Sequence, residues 1–286
     1  MVVFPNCKIN LGLNIIRKRN DGYHDLETVF YPVPLTDALE LIKIQDASFK
    51  NSELTSNLQP ATCNFSSSGL TINGSETDNL CVKAYQLLKQ DFPDLPSIKM
   101  HLHKVIPMGA GLGGGSADGA FALQLLNTKF QLELSTEQLI AYALQLGSDC
   151  PFFIVNRPCF ATSRGEIMQP INLDLSAYQL VLVNPKIHIG TGWAFSNISP
   201  KEPATSIQEI IQQPVATWKD ALKNDFQQPA IKQYPAIGEA INQLYQEGAV
   251  YSAMTGSGST VFGLFEKNKK LHLKFPENYF VHNALL

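Results

Sequence analysis

The 286-residue sequence predicts an α+β protein of two domains, and three observations carry that expectation. The length exceeds the roughly 100–200 residues of one ordinary domain. Segments of period 2 and period 3.6 intermix along the chain with no repeat of 20–50 residues. Five glycines fall within residues 109–115, between a strand-like and a helix-like segment. Apolar residues make up 44% and charged residues 16%, so a mainly disordered chain is excluded.

Taken in order, Pro5–Leu13 reads as a strand with Lys8 and Asn10 on one face and Ile9 and Leu11 on the other. A lone lysine on such a face is ordinarily solvated, but asparagine is disfavoured in strands and asks for a reason. Asn20-Asp21-Gly22 is a turn followed by Tyr23 and His24, with Phe30 six residues after His24. Residues 38–44 read as a strand, and 51–74, rich in Ser, Thr and Asn, as turns and short strands. A helix is expected from a cap at Asp78, with Leu80, Ala84, Leu87 and Leu88 on one face. Ile98–Lys104 alternates as a half-buried strand, and 117–127 is apolar on nearly all sides, as a buried helix is.

Ser135 with Gln138 forms a capping box for a helix over 136–146, stopped at Gly147. Residues 178–184 read as a strand. Pro235 and Gly248 bracket another helix, and strands are expected at 249–253, 260–265 and 271–275. Asn156-Arg157-Pro158 breaks the pattern and suggests a domain boundary at 155–165.

Net charge is −3 and the pI about 6.1, which argues against nucleic-acid or anionic-membrane partners. No run of 18 apolar residues suggests a membrane span, and Met1–Lys8 turns polar too soon for a signal peptide. The five cysteines are scattered without a CxxC pair, as expected of a reduced, cytoplasmic protein. The histidines show no HExxH spacing; His101 and His103 share one strand face, weak grounds for a metal.

The most informative stretch is Pro107-Met108-Gly109-Ala110-Gly111-Leu112-Gly113-Gly114-Gly115-Ser116-Ala117. Glycines let a backbone adopt positive φ and approach a ligand, and the following helix adds unpaired N–H groups, so this is a phosphate site. It is not a P-loop, because Gly115-Ser116 lacks the lysine that motif requires. A dinucleotide fingerprint fits Gly109, Gly111 and Gly114, but that motif opens its domain and here about 100 residues precede it. Gly147-Ser148-Asp149-Cys150-Pro151 holds a carboxylate in a turn, where a cap is the usual role. Cys150 reads as a small buried residue rather than a nucleophile. Met254-Thr255-Gly256-Ser257-Gly258-Ser259-Thr260 is a second glycine turn rich in hydroxyls.

Three blocks in this order, Pro5–Leu11, Pro107–Ala117 and Thr255–Ser259, resemble the motifs of the GHMP kinases, and the resemblance covers essentially the whole chain. It implies an ATP-binding domain over 1–160 and a ferredoxin-like domain over 161–286. The Gly22-Tyr23-His24 turn narrows it to members whose alcohol substrate carries a cytidine diphosphate group, in isoprenoid precursor synthesis. By that resemblance Lys8 and Asp149 are the catalytic pair, with Asp149 the base. ATP with Mg²⁺ is held by Lys104 near the adenine and by Pro107–Ala117 at the phosphates. Asn10, Tyr23, His24, Phe30, Phe195, Gly256 and Ser257 meet the substrate, Trp193 being the competing choice for Phe195. The oligomeric state, monomer or homodimer, is left open. Two departures stand out: Asn6-Cys7 precedes Lys8 where Pro-Ala is common, and Ala117-Asp118 stands where Ser-Asn is common.

Overall fold

A computed structural model describes residues 1–44 and 62–286. The chain divides into two compact units, neither of them one run of sequence. The first comprises 1–5, 37–105 and 115–154; the second comprises 6–36, 106–114 and 155–286.

The first unit contains a sheet of β1 (Val2–Val3), β4 (Ala38–Lys43), β6 (Ile98–Lys104) and β5 (Cys63–Gly69), in that order. Only β5–β6 pairs in parallel; the other pairs are antiparallel. Its helices are α1 (Leu80–Asp91), α2 (Gly114–Phe130, from 115 on), α3 (Thr136–Leu146) and α4 (Cys150–Val155). Helix α1 starts one residue later than expected. Asp78 closes a short 3-10 turn, and Asn79 is the cap, its side chain accepting from Cys81 N at 2.9 Å. The buried face is therefore Cys81, Ala84, Tyr85 and Leu88 at i, i+3, i+4 and i+7.

The Ser135–Gln138 capping box is present as expected, and α3 runs to Leu146 before Gly147. Helix α2 is longer than the expected 117–127, because Gly114, Gly115 and Ser116 already take helical geometry. Of the stretch 51–74, residues 51–61 lie outside the described residues, and 63–69 form β5.

The second unit holds two antiparallel sheets. One runs β2 (Asn6–Lys18), β3 (His24–Thr36), β7 (Cys159–Ser163), β8 (Ile167–Pro170). The hairpin β2–β3 turns where Asn20-Asp21-Gly22 predicts, with Gly22 at φ 86°. Both faces of β2 are covered: Lys8, Ile9, Asn10 and Leu11 are all buried.

The other sheet has the order β10 (Tyr251–Met254), β11 (Val261–Glu266), β9 (Tyr178–Asn184), β12 (Phe280–Leu285). In chain order that is 2-3-1-4, the ferredoxin-like arrangement the resemblance implies. The first crossover, from β9 to β10, carries α5 (Thr191–Ser196), the one-turn helices α6 (Ile207–Ile210) and α7 (Trp218–Ala221), α8 (Gln227–Gln233) and α9 (Pro235–Gln246). Helix α9 lies where Pro235 and Gly248 bracket it, with Ile237, Ile241 and Leu244 buried. The second crossover lacks a helix. Residues 271–275, expected as a strand, are irregular. Leu271, Leu273 and Phe275 alternate because they pack against the core of Val181, Val183, Ile237 and Leu244. The alternation reports burial on one side, not a ladder partner.

Candidate functional site

The second unit brings the glycine-rich loop, the second glycine turn and the Lys8 strand together. Lys8 N donates to Leu112 O at 3.0 Å, which ties β2 to the loop. Thr260 N donates to Ala110 O at 3.3 Å, which ties the second turn to it. The contact is close enough to require glycine. A Cβ on Gly111, at φ +82°, would lie 2.2 Å from Thr255 O. One on Gly258 would lie 2.3 Å from Gly111 N. Glycines that the sequence suggests for phosphate thus serve partly to interlock two turns. Gly111→Ala is expected to cost about 2 kcal/mol or more, since left-handed strain adds to the clash. A urea unfolding midpoint equal to wild type would rule this out.

Gly109 and Gly113 also have positive φ, at 64° and 70°. Pro107, Met108, Gly109, Gly113, Gly115 and Ser116 keep exposed or half-exposed surface, while Ala110, Leu112, Gly114 and Ala117 are buried.

Lys8 is buried, and its Nζ donates to Asn10 Oδ1 at 2.6 Å and lies 4.8 Å from the Phe30 ring centroid. Asn10 and Phe30, both expected at the substrate, are buried at 2% and 3% exposure beside that ammonium. Asn10 N donates to Thr255 Oγ1 at 2.8 Å. Gly256 and Ser257 lie in the adjoining turn, Gly256 buried and Ser257 half-buried. Asn224 fastens that turn from below, donating to Met254 O and Gly256 O, both at 2.9 Å. Asn184 does the same for Thr260 Oγ1 at 2.8 Å. Sequence reasoning misses Asn184 and Asn224. Asn184 closes the apolar run of β9, which is a signal for a buried hydrogen-bonding role, whereas Asn224, between Lys223 and Asp225, carries none.

The aromatic residues gather at the hairpin end of the same unit. His24 and Phe195 stack with centroids 4.7 Å apart and an interplanar angle of 24°. At that distance the rings touch, so a planar ligand stacks on their outer faces and not between them. Phe195 is backed edge-on by Phe226 at 5.0 Å. Trp193, the competing choice, packs against Tyr234 at 5.7 Å. Tyr23 is 54% exposed, and the Arg164 guanidinium lies over one of its faces at 5.0 Å. Burial holds the His24 pKa below its usual value, with Lys18 adding to the effect, so His24 is neutral at pH 7.

The first unit carries Lys104, Ser116 and Asp149. Lys104 follows the inward register of Ile98, Met100 and Leu102, and its side chain is wholly buried. Its Nζ donates to Asp37 Oδ2 at 2.5 Å and Asp118 Oδ2 at 2.6 Å. Asp37 Oδ1 also accepts from Val105 N at 2.6 Å. The ammonium expected near the adenine is therefore held between two carboxylates, and the Asp118 that departs from the family pattern is one of them. Burial pushes Asp118 up to about 8 against the pull of Lys104. Its Oδ1 has no hydrogen-bond partner. Asp149 is half-buried in the turn that opens α4. Burial pushes the neighbouring Cys150 thiol up to about 12, which removes it as a nucleophile at neutral pH.

Comparison with known proteins gives this arrangement its class. The family models described as GHMP kinases N terminal domain and GHMP kinases C terminal match residues 79–157 and 206–279. A 4-diphosphocytidyl-2-C-methyl-D-erythritol kinase of Bacteroides fragilis is 52% identical over 271 residues, 95% of this chain and 94% of its own. The Azobacteroides pseudotrichonymphae protein of that name is 48% identical over the full length of both. The crystal structure of a 4-(cytidine 5'-diphospho)-2C-methyl-D-erythritol kinase superposes with a TM-score of 0.76 at 28% identity, covering 92% of this chain and 90% of that one. The chain belongs to the GHMP kinases, small-molecule kinases with ATP as co-substrate, in the branch formed by the 4-diphosphocytidyl-2-C-methyl-D-erythritol kinases. Among the described residues no helix is long and apolar enough to cross a membrane.

Proposed function

We propose that this enzyme transfers the γ-phosphoryl group of ATP to the 2-hydroxyl of 4-diphosphocytidyl-2-C-methyl-D-erythritol. The observation that carries the substrate choice is the aromatic cluster of Tyr23, His24 and Phe195. A neutral imidazole and two rings suit a pyrimidine, which needs stacking and a hydrogen-bond partner without charge. The names of the relatives support the same choice.

In this reading the loop amides of Pro107–Ala117 and the start of α2 hold the ATP phosphates, with Ser116 donating to an oxygen. The substrate's diphosphate and alcohol lie along Asn10, Gly256 and Ser257. Asp149 accepts the proton of the 2-hydroxyl, and Lys8 orients the reacting groups. A tertiary alcohol is hindered and weakly acidic, so a fixed base and fixed phosphates supply most of the catalysis. Lys104 acts through its buried ion triad, which joins the end of β6 before the loop to Asp118 in the second turn of the helix after it.

Mg²⁺ binds through one or two carboxylates plus phosphates and needs no all-protein cage. Asp118, with its unpartnered Oδ1, is the carboxylate that would hold the ion, which when bound offsets phosphate charge. The five free cysteines suit a reducing cytoplasm.

The test is an ADP-release assay with Mg-ATP and a panel of alcohols: the cytidine diphosphate conjugate, homoserine and mevalonate. Turnover confined to the conjugate is expected, and turnover of homoserine or mevalonate instead would overturn the reading. Phe195→Ala should raise KM for the conjugate by about 5–150-fold, the range for losing one base-stacking ring, with little change in KM for ATP. If Trp193→Ala does this and Phe195→Ala does not, the base stacks elsewhere.

A further inference from the structure

The Lys8–Asn10 contact is one link in a directional chain of buried hydrogen bonds. β2 carries a bulge at Gly12, between Leu11 and Leu13, where the ladder register with β3 shifts. Gly12 has φ 71° at this bulge. Thr28 on β3, at 0% exposure, donates its hydroxyl proton to Gly12 O at 2.6 Å. A hydroxyl has one proton. Toward Asn10, Thr28 Oγ1 can therefore only accept, and Asn10 Nδ2 donates to it at 3.0 Å. That fixes which end of the amide faces which neighbour. Asn10 Oδ1 is turned to Lys8 Nζ, 2.6 Å away. The reverse orientation would set two donors, the Asn10 NH₂ and the Lys8 ammonium, against each other in a buried site.

We infer that Thr28 is a positioning residue for phosphoryl transfer: its hydroxyl sets the orientation of the Asn10 amide and thereby the place of the Lys8 ammonium. The inference rests on the proposed role of Lys8 in catalysis. It assigns Asn10 a duty toward Lys8 as well as toward substrate. Thr28 itself touches no reacting atom in this scheme.

Thr28→Val keeps the shape and removes the hydroxyl, leaving Asn10 Nδ2 without its acceptor and the amide held only through Oδ1, by Lys8 Nζ and Thr255 Oγ1. Thr28→Ser keeps the hydroxyl. With the full-length enzyme, Thr28→Val is expected to lower kcat by about 10–100-fold, the scale of a misplacement near 1 Å, with KM for ATP unchanged. Thr28→Ser should retain at least about a third of kcat, a loss small beside that misplacement scale. In a Lys8→Ala background, Thr28→Val should add nothing, because the effect of Thr28 reaches the reaction through the lysine. Should Thr28→Val not fold, Thr28→Ala removes the same hydroxyl without crowding the core and is expected to behave alike.

Lys8→Ala with full activity would refute the role of Lys8 itself. Lys8→Ala inactive while Thr28→Val keeps wild-type kcat would overturn the inference alone. Equal kcat losses in Thr28→Val and Thr28→Ser, accompanied by equal falls in melting temperature, would make Thr28 a packing residue and also overturn it.

Discussion

Replacing Asp149 with asparagine is expected to lower kcat by about 10²–10⁴-fold, the usual contribution of a general base, with ATP and substrate affinities little changed. The substitution keeps size and hydrogen bonding but removes the proton acceptor. Asp149 sits in the turn between Gly147 and α4, and Cys150 N donates to Gly147 O at 3.1 Å, so its backbone is fixed before substrate arrives. Lys8→Ala should also lose activity. Both residues serve the same reacting hydroxyl in this reading, so the double variant should be no worse than the poorer single one. A kcat within a few-fold of wild type for Asp149→Asn would remove it from the mechanism. A loss of binding with kcat preserved would make it a cap of α4.

Lys104→Met is expected to be the most destabilising single change, by about 3–5 kcal/mol, because it strips a buried cation from two buried carboxylates. The Asp37, Lys104 and Asp118 side chains are 0%, 0% and 4% exposed, so water cannot replace the lost partner. The pH dependence follows from the same geometry. Burial already raises Asp118 to about 8. The unfolded aspartate releases its proton near pH 3.9, so between about 4 and 8 the folded state binds more protons and stability falls as pH rises. Without Lys104 the rise is larger, and because Asp118 in the wild type stays protonated up to about pH 8, the deficit of the variant should hold steady below that pH and grow above it. Urea unfolding at about pH 5, 7 and 9.5 reads both effects, the shared fall below pH 8 and the variant's added loss above it. A deficit below 1 kcal/mol, or one that shrinks as pH rises, would contradict a buried ion triad.

Much of this fold is legible where local chemistry and tertiary need agree. The Ser135–Gln138 box, the Pro235 and Gly248 brackets and the β6 alternation are local signals that no long-range contact opposes. The glycine loop between strand and helix is legible for the same reason. The signals misread are those in which a side chain's burial came from a distant partner. Lys104 belongs to the inward set of Ile98, Met100 and Leu102, so the period already turned it inward; what the period cannot supply is Asp37, 67 positions away. Asp118 among Ala117, Gly119 and Ala120 was a charge in an apolar helix, a sign of a buried counter-ion. Leu271, Leu273 and Phe275 alternate as a strand does, yet their segment is irregular and only packs on the core.

The candidate site was legible in part, through residue types unusual for their surroundings. Asn10 in a strand asks for a reason, and Lys8 Nζ and Thr28 Oγ1 provide it. Thr28 itself was invisible, because threonine in a strand needs no explanation. The pairing of His24 with Phe195 joins positions 171 apart in the chain, and no spacing rule reaches that far.

The central claim is the transfer of phosphate to one particular hydroxyl of a cytidine diphosphate alcohol. Phosphorus-31 and carbon-13 NMR of the product formed from Mg-ATP and 4-diphosphocytidyl-2-C-methyl-D-erythritol tests it most directly. The account predicts one new phosphomonoester, coupled to the quaternary C2, appearing in step with ADP and absent with Asp149→Asn. A phosphate on a secondary hydroxyl, or ADP formed with no change in the conjugate, would contradict it.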